Sequence, residues 1–302
     1  MGKEYRVIGL SLPEVRLGDD LAEVIVRAAD QQAGGVRDGD VIVVTSKVIS
    51  KARGYLERYD GLKPSRRAEL ISRLTGKPAW EVELILKHSR RIVAAVPATE
   101  LLLEAGFHEM MRCPERAMEV LKRDPVILVV ENEQGMLCTD AGLDTSNTPE
   151  GVASVPPPDP DYEARLLRER IERLTGKRVA VVVTDTEARV TRLGSVDIAI
   201  GSSGIRVVKR EFGQSDLYGK PKYGGVDVVV DEIAAAAALL MGQTREGIPV
   251  VIVRGLSVER DCEEGVRDIV IPPRMLARGV RASLLLTLKL KLRLLLHRVL
   301  RL

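Results

Sequence analysis

GDVIVVTSKVISKARG, residues 39–54, is the stretch on which the fold turns. Asp38-Gly39-Asp40 forms a turn that leads into Val41, Ile42, Val43 and Val44, an unbroken apolar run that predicts a buried strand. Thr45, Ser46 and Lys47 follow at once, with Lys51 four residues beyond Lys47. If this segment takes a helical turn, the two lysines share a face with Ser46 beside them, a set suited to phosphate oxygens. Lysines after strands are common on protein surfaces, so the set alone assigns no function.

The same alternation of strand and helix signals continues outward. Residues 65–74 and 79–89 carry helical spacing, with Ser65 after Pro64 as a cap for the first and Gly76 as its stop. Residues 91–96 predict a strand ended by Pro97, and residues 114–122 a short helix before an apolar strand at 126–130. Pro156-Pro157-Pro158-Asp159-Pro160 cannot join a central ladder and marks a connector or boundary. A charged amphipathic helix (162–174) and a strand (178–183) come next. Then follow a strand at 196–200 opening into a GSSG turn (201–204), a basic loop at 216–225, an alanine-rich helix at 231–241 and a strand at 249–253. SRLTGK (72–77) and ERLTGK (172–177) each end a helix on glycine, and neither has the frame of a phosphate-binding P-loop. The pattern is that of a mixed α/β or α+β protein and not a helical bundle.

At 302 residues, 45% hydrophobic and 29% charged, the chain can bury a full core as one or two domains. Aromatics are only 3% and the net charge is +3, which speaks against a nucleic-acid binder. Cys113, Cys138 and Cys262 show no paired spacing, and His88, His108 and His297 form no ligand pattern. The N-terminus lacks the layout of a signal peptide, so the cytoplasm is expected. In the tail, residues 284–302, Lys289, Lys291 and Arg293 interrupt a leucine run at high cost to membrane insertion, so a membrane partner is not the first expectation. Residues 286–294 alternate with period two, as a half-buried strand does, and the end reads as a basic amphipathic helix. The tail is expected to pack on the body or on a partner subunit; a membrane-surface helix is the alternative.

TDAGLDTSN, residues 139–147, sets Asp140, Asp144, Thr145, Ser146 and Asn147 around Gly142 beyond the 126–130 run. TDT, residues 184–186, likewise ends an apolar run. All these donors are hard oxygens or amides, without a thiol or imidazole, which suits Mg²⁺ or Mn²⁺ bridged to phosphates. Asp144 and Asn147 are spaced to face one ligand, whereas turn or helix capping explains either carboxylate cluster taken singly.

Eight blocks then stand in one order: GDDLAEVI (18–25), GDVIVVTSKVISKARG (39–54), DAGLDTSN (140–147), VVVTDT (181–186), VDIAIGSSGI (196–205), DLYGKPKYGG (216–225), DEIAAAAALLMGQ (231–243) and GIPVVIVRGL (247–256). Together they resemble the coenzyme F-420 γ-glutamyl ligase family over residues 5–256. The resemblance implies a GTP-dependent ligase that adds L-glutamate, through a γ-linked amide, to the lactyl-phosphate deazaflavin precursor of the coenzyme by way of an acyl phosphate, releasing GDP and phosphate. It implies divalent metal (Mg²⁺ or Mn²⁺, two ions), K⁺ as a monovalent activator, and an intertwined homodimer of mixed α/β subunits. Two α/β subdomains, 1–155 and 161–256, and a divergent tail, 257–302, follow from it.

Carried over residue by residue, the resemblance implies GTP contacts at Leu12, Pro13, Glu14, Val15, Ser46, Lys47, Lys51, Asn147, Met241, Gly242, Gln243, Thr244, Arg245, Glu246, Gly247 and Ile248. It implies metal ligands at Asp144, Asp185, Thr186 and Gln243, the last through its carbonyl oxygen, and leaves Asp140 a turn role. Such chemistry rests on positioning and charge neutralisation and requires no covalent nucleophile, so the lack of a Ser–His or Cys–His pattern is expected. No residue is assigned as general base. The chain departs from the family after TDT, where Glu187-Ala188-Arg189-Val190-Thr191-Arg192 replaces a glycine-arginine and an aromatic-arginine pair, and again beyond Arg267. That departure admits two alternatives: ligation of an amino acid to a different carboxylate metabolite, or a non-catalytic nucleotide- or membrane-associating protein.

Overall fold

Residues 4–133, 135–188, 192–261 and 263–300 are described by the computed structural model, the side chains of 297–300 excepted. The altered segment Arg189-Val190-Thr191, Cys262 and the His297 side chain therefore lie outside the described residues. The chain opens with β1 (Arg6–Leu10) and α1 (Leu21–Ala33), whose first turn is capped by the Asp20 carboxylate accepting from the Glu23 amide. β2 (Val41–Thr45) passes directly into α2 (Ser46–Arg53), then β3 (Leu56–Arg58). α3 (Arg66–Thr75) starts on Ser65, whose hydroxyl accepts from the Ala68 amide, and stops on Gly76 in the left-handed region. α4 (Ala79–Lys87), β4 (Arg91–Val96), α5 (Ala98–Glu104), α6 (Pro114–Arg123), β5 (Ile127–Glu131), β6 (Leu137–Thr139) and β7 (Val152–Ser154) complete the first half. The second half runs α7 (Pro160–Thr175), β8 (Ala180–Ala188), β9 (Ser195–Ser203), α8 (Val229–Met241), β10 (Val250–Arg254) and α9 (Pro273–Leu300).

Five strands form the main sheet in the order β1-β10-β2-β8-β9; β2 and β8 are parallel and every other pairing is antiparallel. Val41 and Val43 point to one face and meet Ile233 and Ala237 of α8; Ile42 and Val44 point to the other and join Ile25 of α1 and Ile171 of α7. Covering both faces explains why β2 shows no polar alternation, since each burial of a Val or Ile side chain contributes about 1.5–3 kcal/mol. Ala234 and Ala237 are fully buried, so the alanine-rich stretch does bring α8 close to the sheet. A three-stranded sheet, β4-β5-β6, packs a separate small core of Ile85, Leu128, Val130 and Ala141, and β3 pairs with β7. The fold is mixed α+β, as the sequence indicates.

Four local expectations are corrected. The alternation at 286–294 is not a strand: α9 is helical throughout, because leucine, lysine and arginine favour helix and nothing in the described chain offers a ladder partner. Nor does α9 pack on the body, for every described side chain from Arg274 to Leu296 is exposed. The GSSG turn is the end of β9, which pairs with β8 through Ser203; a Cβ at Gly201 would strike the backbone of Pro160 at the start of α7. Finally, TDAGLDTSN does not follow β5 directly, since β6 intervenes.

Opposite the functional edge of the sheet, Asp40 and Arg254 tie the start of β2 to the end of β10. The guanidinium donates through Nε (2.9 Å) and an Nη (2.7 Å) to the two carboxylate oxygens, and also to the carbonyls of Ala33 and Gly35. Asp40 is 1% exposed, so losing its partner leaves a buried charge unpaired. Arg254→Met is expected to lower unfolding free energy by about 3 kcal/mol; a urea midpoint shift with unchanged slope checks it, and Asp40→Asn in the same background is expected to recover part of the loss.

Candidate active site

Sheet register decides where the polar segments meet. Leu10 pairs with Val250, Val250 with Val44, and Thr45 with Thr184, so β1 and β2 end, β8 turns polar and β10 begins at one edge. Loops after parallel strands are where open sheets bind ligands. A bulge between Val183 and Thr184 re-aims the outer half of β8 at this point. The resulting cleft, about 450 Å³, is lined by residues 12–15 after β1, by Ser46, Lys47 and Lys51 of α2, by Asp144 and Asn147, by Asp185 and Thr186, and by residues 241–248 before β10. Every nucleotide- and metal-contact position implied by the resemblance thus lines this one cleft, whereas Asp140 and Thr145 do not.

Lys47 reaches across it. Its Nζ lies 2.5 Å from Asp144 Oδ2, 2.9 Å from the Ser146 carbonyl and 2.6 Å from the Ser146 hydroxyl. Burial raises the Asp144 pKa, but the hydrogen bonds from Lys47 and the Ser146 amide outweigh it and hold the carboxyl below its ordinary range. Ser46, at the first position of α2, donates to Asp185 Oδ2 at 2.9 Å. Asp185 behaves oppositely: burial raises its pKa, the Asp144 and Asp197 carboxylates push the same way, and the Thr186 amide and Ser46 hydroxyl do not compensate. Asn147, left-handed at φ 53°, donates from its side chain to the Thr244 carbonyl (3.0 Å) and so clips the 241–248 segment to the 144–147 loop. Gly242 ends α8 at φ 65°, ψ −174°, a conformation essentially reserved for glycine, which turns that segment into the cleft.

Asp197 is the functional-looking residue that sequence reasoning missed. Buried on β9, it accepts from the Thr186 hydroxyl (2.8 Å) and the Gln243 amide (3.1 Å), and Gln243 also donates to the Thr186 hydroxyl (3.1 Å). Its signal was available: an aspartate inside VDIAI is out of place in a strand unless something requires it there. Asp144, Asp185 and Asp197 together with Thr186 and Gln243 form a hard-oxygen set, and of the carboxylates only Asp144 has a lysine partner among the described contacts. That surplus of negative charge, which adds to burial in raising Asp185, fits a divalent cation.

A second carboxylate group lies nearby. Oxygens of Glu81, Asp124 and Asp140 fall within 4.8 Å of one another, a spacing that could hold a metal ion. Lys77, 1% exposed, already stands among them, with Nζ at 2.9 Å from Glu81, 2.5 Å from Asp124 and 3.3 Å from Asp140. Burial would lower the Lys77 pKa, but the Asp140 and Glu81 charges outweigh it and keep the ammonium charged; burial pushes Glu81 and Asp140 up. An internal ammonium thus fills the place of a cation. The network also accounts for Asp140, which has the expected turn role: Asp140 and Ala141 sit at φ 48° and 55°, and Asp140 accepts from the Leu128 amide at 2.9 Å.

Fold and cleft define an α+β protein that gathers lysines, hydroxyls and carboxylates at the C-terminal edge of its central parallel strand pair. The family model described as F420-0:Gamma-glutamyl ligase matches residues 9–255, and the chain belongs to that family. It is similar to the coenzyme F420:L-glutamate ligase of Archaeoglobus fulgidus, 43% identical over 82% of this chain and 86% of the relative. It is also similar to those of Methanopyrus kandleri (38%, over 84% and 88%) and Methanocaldococcus jannaschii (33%, over 89% and 95%).

Two outcomes follow from this geometry. Lys77→Met strands three carboxylates and is expected to destabilise the protein by about 3 kcal/mol in urea unfolding. Burial, with Asp140 and Asp185 adding to it, pushes the Cys138 thiol up to about 11, whereas Cys113 is exposed. At pH 8 the Cys138 thiolate is on the order of one part in a thousand. Peptide mapping after iodoacetamide treatment should therefore show Cys113 alkylated well before Cys138, with the protection of Cys138 lost on denaturation.

Proposed function

We propose that the protein is a GTP-dependent ligase that joins L-glutamate, by γ-linked amide bonds, to the lactyl-phosphate deazaflavin precursor of coenzyme F-420. Family membership gives the reaction class. What carries the nucleotide-dependent reading is the meeting of Lys47, Lys51 and the α2 N-terminus with Asp144, Asp185 and Asp197 in one cleft. Amide formation from a free carboxylate needs activation, because an oxyanion is a poor leaving group. Transfer of the GTP γ-phosphoryl group to the precursor's carboxylate gives GDP and an acyl phosphate. The deprotonated amine of glutamate attacks the acyl carbon, the C–N bond forms, and phosphate departs with the bonding electrons.

In this reading residues 12–15, Ser46, Asn147 and residues 241–248 seat the nucleotide. Lys47 and Lys51 neutralise its phosphates, with amides at the start of α2 facing the same charge. Asp144, Asp185, Thr186 and Gln243 hold two divalent ions, Mg²⁺ or Mn²⁺, which when bound screen the phosphate oxygens. Asp197 fixes the Thr186 hydroxyl and the Gln243 amide. K⁺ is a monovalent activator. The working unit is an intertwined cytoplasmic homodimer, its subunits divided into 1–155, 161–256 and the tail, and it engages no nucleic acid.

Incubating the precursor with GTP, Mn²⁺ and glutamate is expected to raise its mass by one or more glutamyl units. Asp185→Asn is expected to reduce that product at least about a hundredfold with little change in melting temperature. No mass gain with a folded wild-type chain overturns the proposed substrate, and a fully active Asp185→Asn overturns the metal-ligand role.

A further inference from the structure

Helix α9 is the one long element whose described side chains are all in solvent from Arg274 to Leu296. Its 28 residues extend about 42 Å at 1.5 Å per residue. The family match ends at residue 255, before the helix begins. Leu285, Leu288, Leu292 and Leu295 repeat at three- and four-residue spacing and form a stripe, each more than half exposed. Leu286, Leu290 and Leu294 form a second row on the other side. At about 100° per residue, Lys289 and Arg293 run down one boundary between the rows and Lys291 stands on the other.

Charge is divided as sharply as hydrophobicity. Eight of the 46 lysines and arginines lie in residues 273–302, where no aspartate or glutamate occurs, leaving 38 against 43 carboxylates in the rest of the chain. An acidic body thus carries a basic, leucine-rich rod.

We infer that α9 docks this protein on an anionic lipid surface, lying in the headgroup region without crossing the bilayer. Among the described residues no helix is long and apolar enough to cross a membrane, and the cations at 289, 291 and 293 fall mid-run. What favours a lipid surface is charge: residues 273–302 hold eight lysines and arginines and no acidic residue, on a helix whose described leucines are in solvent. On an anionic layer the Leu285–Leu295 stripe turns to the acyl chains, while Lys289, Arg293 and Lys291 on its two borders lay their stems along apolar surface and reach the phosphates with their heads. Arg274, Arg278 and Arg281 cluster on the first turns and meet headgroups as the helix enters. A second copy is disfavoured because cations border the leucine stripe on both sides, so two stripes packed together bring like charges face to face.

The test is co-sedimentation of the full chain with phosphatidylcholine vesicles containing about one-third phosphatidylglycerol, against vesicles of phosphatidylcholine alone. Binding is expected to be at least about tenfold tighter to the anionic vesicles and to weaken by a similar factor at high salt. Leu288→Asp/Leu292→Asp should abolish it, and Lys289→Glu/Lys291→Glu/Arg293→Glu should reduce it at least about tenfold, with the circular-dichroism melt of the body kept in both. The charge-reversed variant alters only exposed positions, so it decides the matter even if the leucine variant does not fold. Equal partition onto neutral and anionic vesicles overturns the inference, as does binding unchanged in the charge-reversed variant. Wild-type chain that ignores vesicles but loses oligomeric mass on Leu288→Asp/Leu292→Asp assigns α9 to a second copy instead.

Discussion

The parallel pairing of β2 with β8 is the constraint on which the rest of the site depends. It is the one parallel pairing in the five-stranded sheet, and it places Thr45 beside Thr184. Two strands that run the same way deliver the residues that follow them to the same edge, whatever their separation in sequence. Ser46 therefore meets Asp185 across 139 positions at 2.9 Å. The antiparallel insertion of β10 between β1 and β2 brings the segment before β10, and the segment after β1, to that edge as well. At the far end Asp40 and Arg254 bind β2 to β10, which resists sliding of the register that sets the site.

The two carboxylate groups differ in how their charge is met, and that difference separates structure from chemistry. Glu81, Asp124 and Asp140 enclose a buried ammonium whose three short contacts leave little demand for another cation. Asp144, Asp185 and Asp197 line an open cleft, and of these carboxylates Lys47 pairs with Asp144. Burial first, and the Asp144 and Asp197 carboxylates after it, push Asp185 toward its protonated form, a state that an incoming cation reverses. Asp140 belongs to the closed group and Asp144 to the open one, although both stand in the same nine-residue segment. The left-handed turn at Asp140 and Ala141 separates them, and the Lys77 network holds that turn.

Strong local signals were legible in the sequence. The apolar run of β2, the Ser65 cap, the Gly76 and Gly176 stops and the alanine-rich α8 each rest on a short-range rule, and each reappears in the structure. Apart from the local helices α1 and α5, what escaped depends on distant partners. β1 was not read because its pairing with β10 lies entirely at long range, and β9 was cut short because Gly201 answers to Pro160 and not to a turn. Asp197 was missed for the same reason, since its role is visible only when Thr186 and Gln243 arrive beside it. In α9 the error ran the other way. A period-two pattern of leucine and lysine looks like a strand, but without a neighbouring strand the residues' own helical preference decides.

Charge segregation bears on how the ligase cleft and the tail coexist. A net charge of +3 averages an acidic body with a tail that has no acidic residue. Spread evenly, those cations would compete for the cleft's carboxylates. Held on a rigid rod that begins at Pro273, the described ones stand in solvent away from the cleft lining, so Lys47 and Lys51 remain the lysines that face its carboxylates. In the docking we infer, the same separation lets a body that anionic surfaces repel be held near one by its tail, with attraction concentrated within a screening length of the helix.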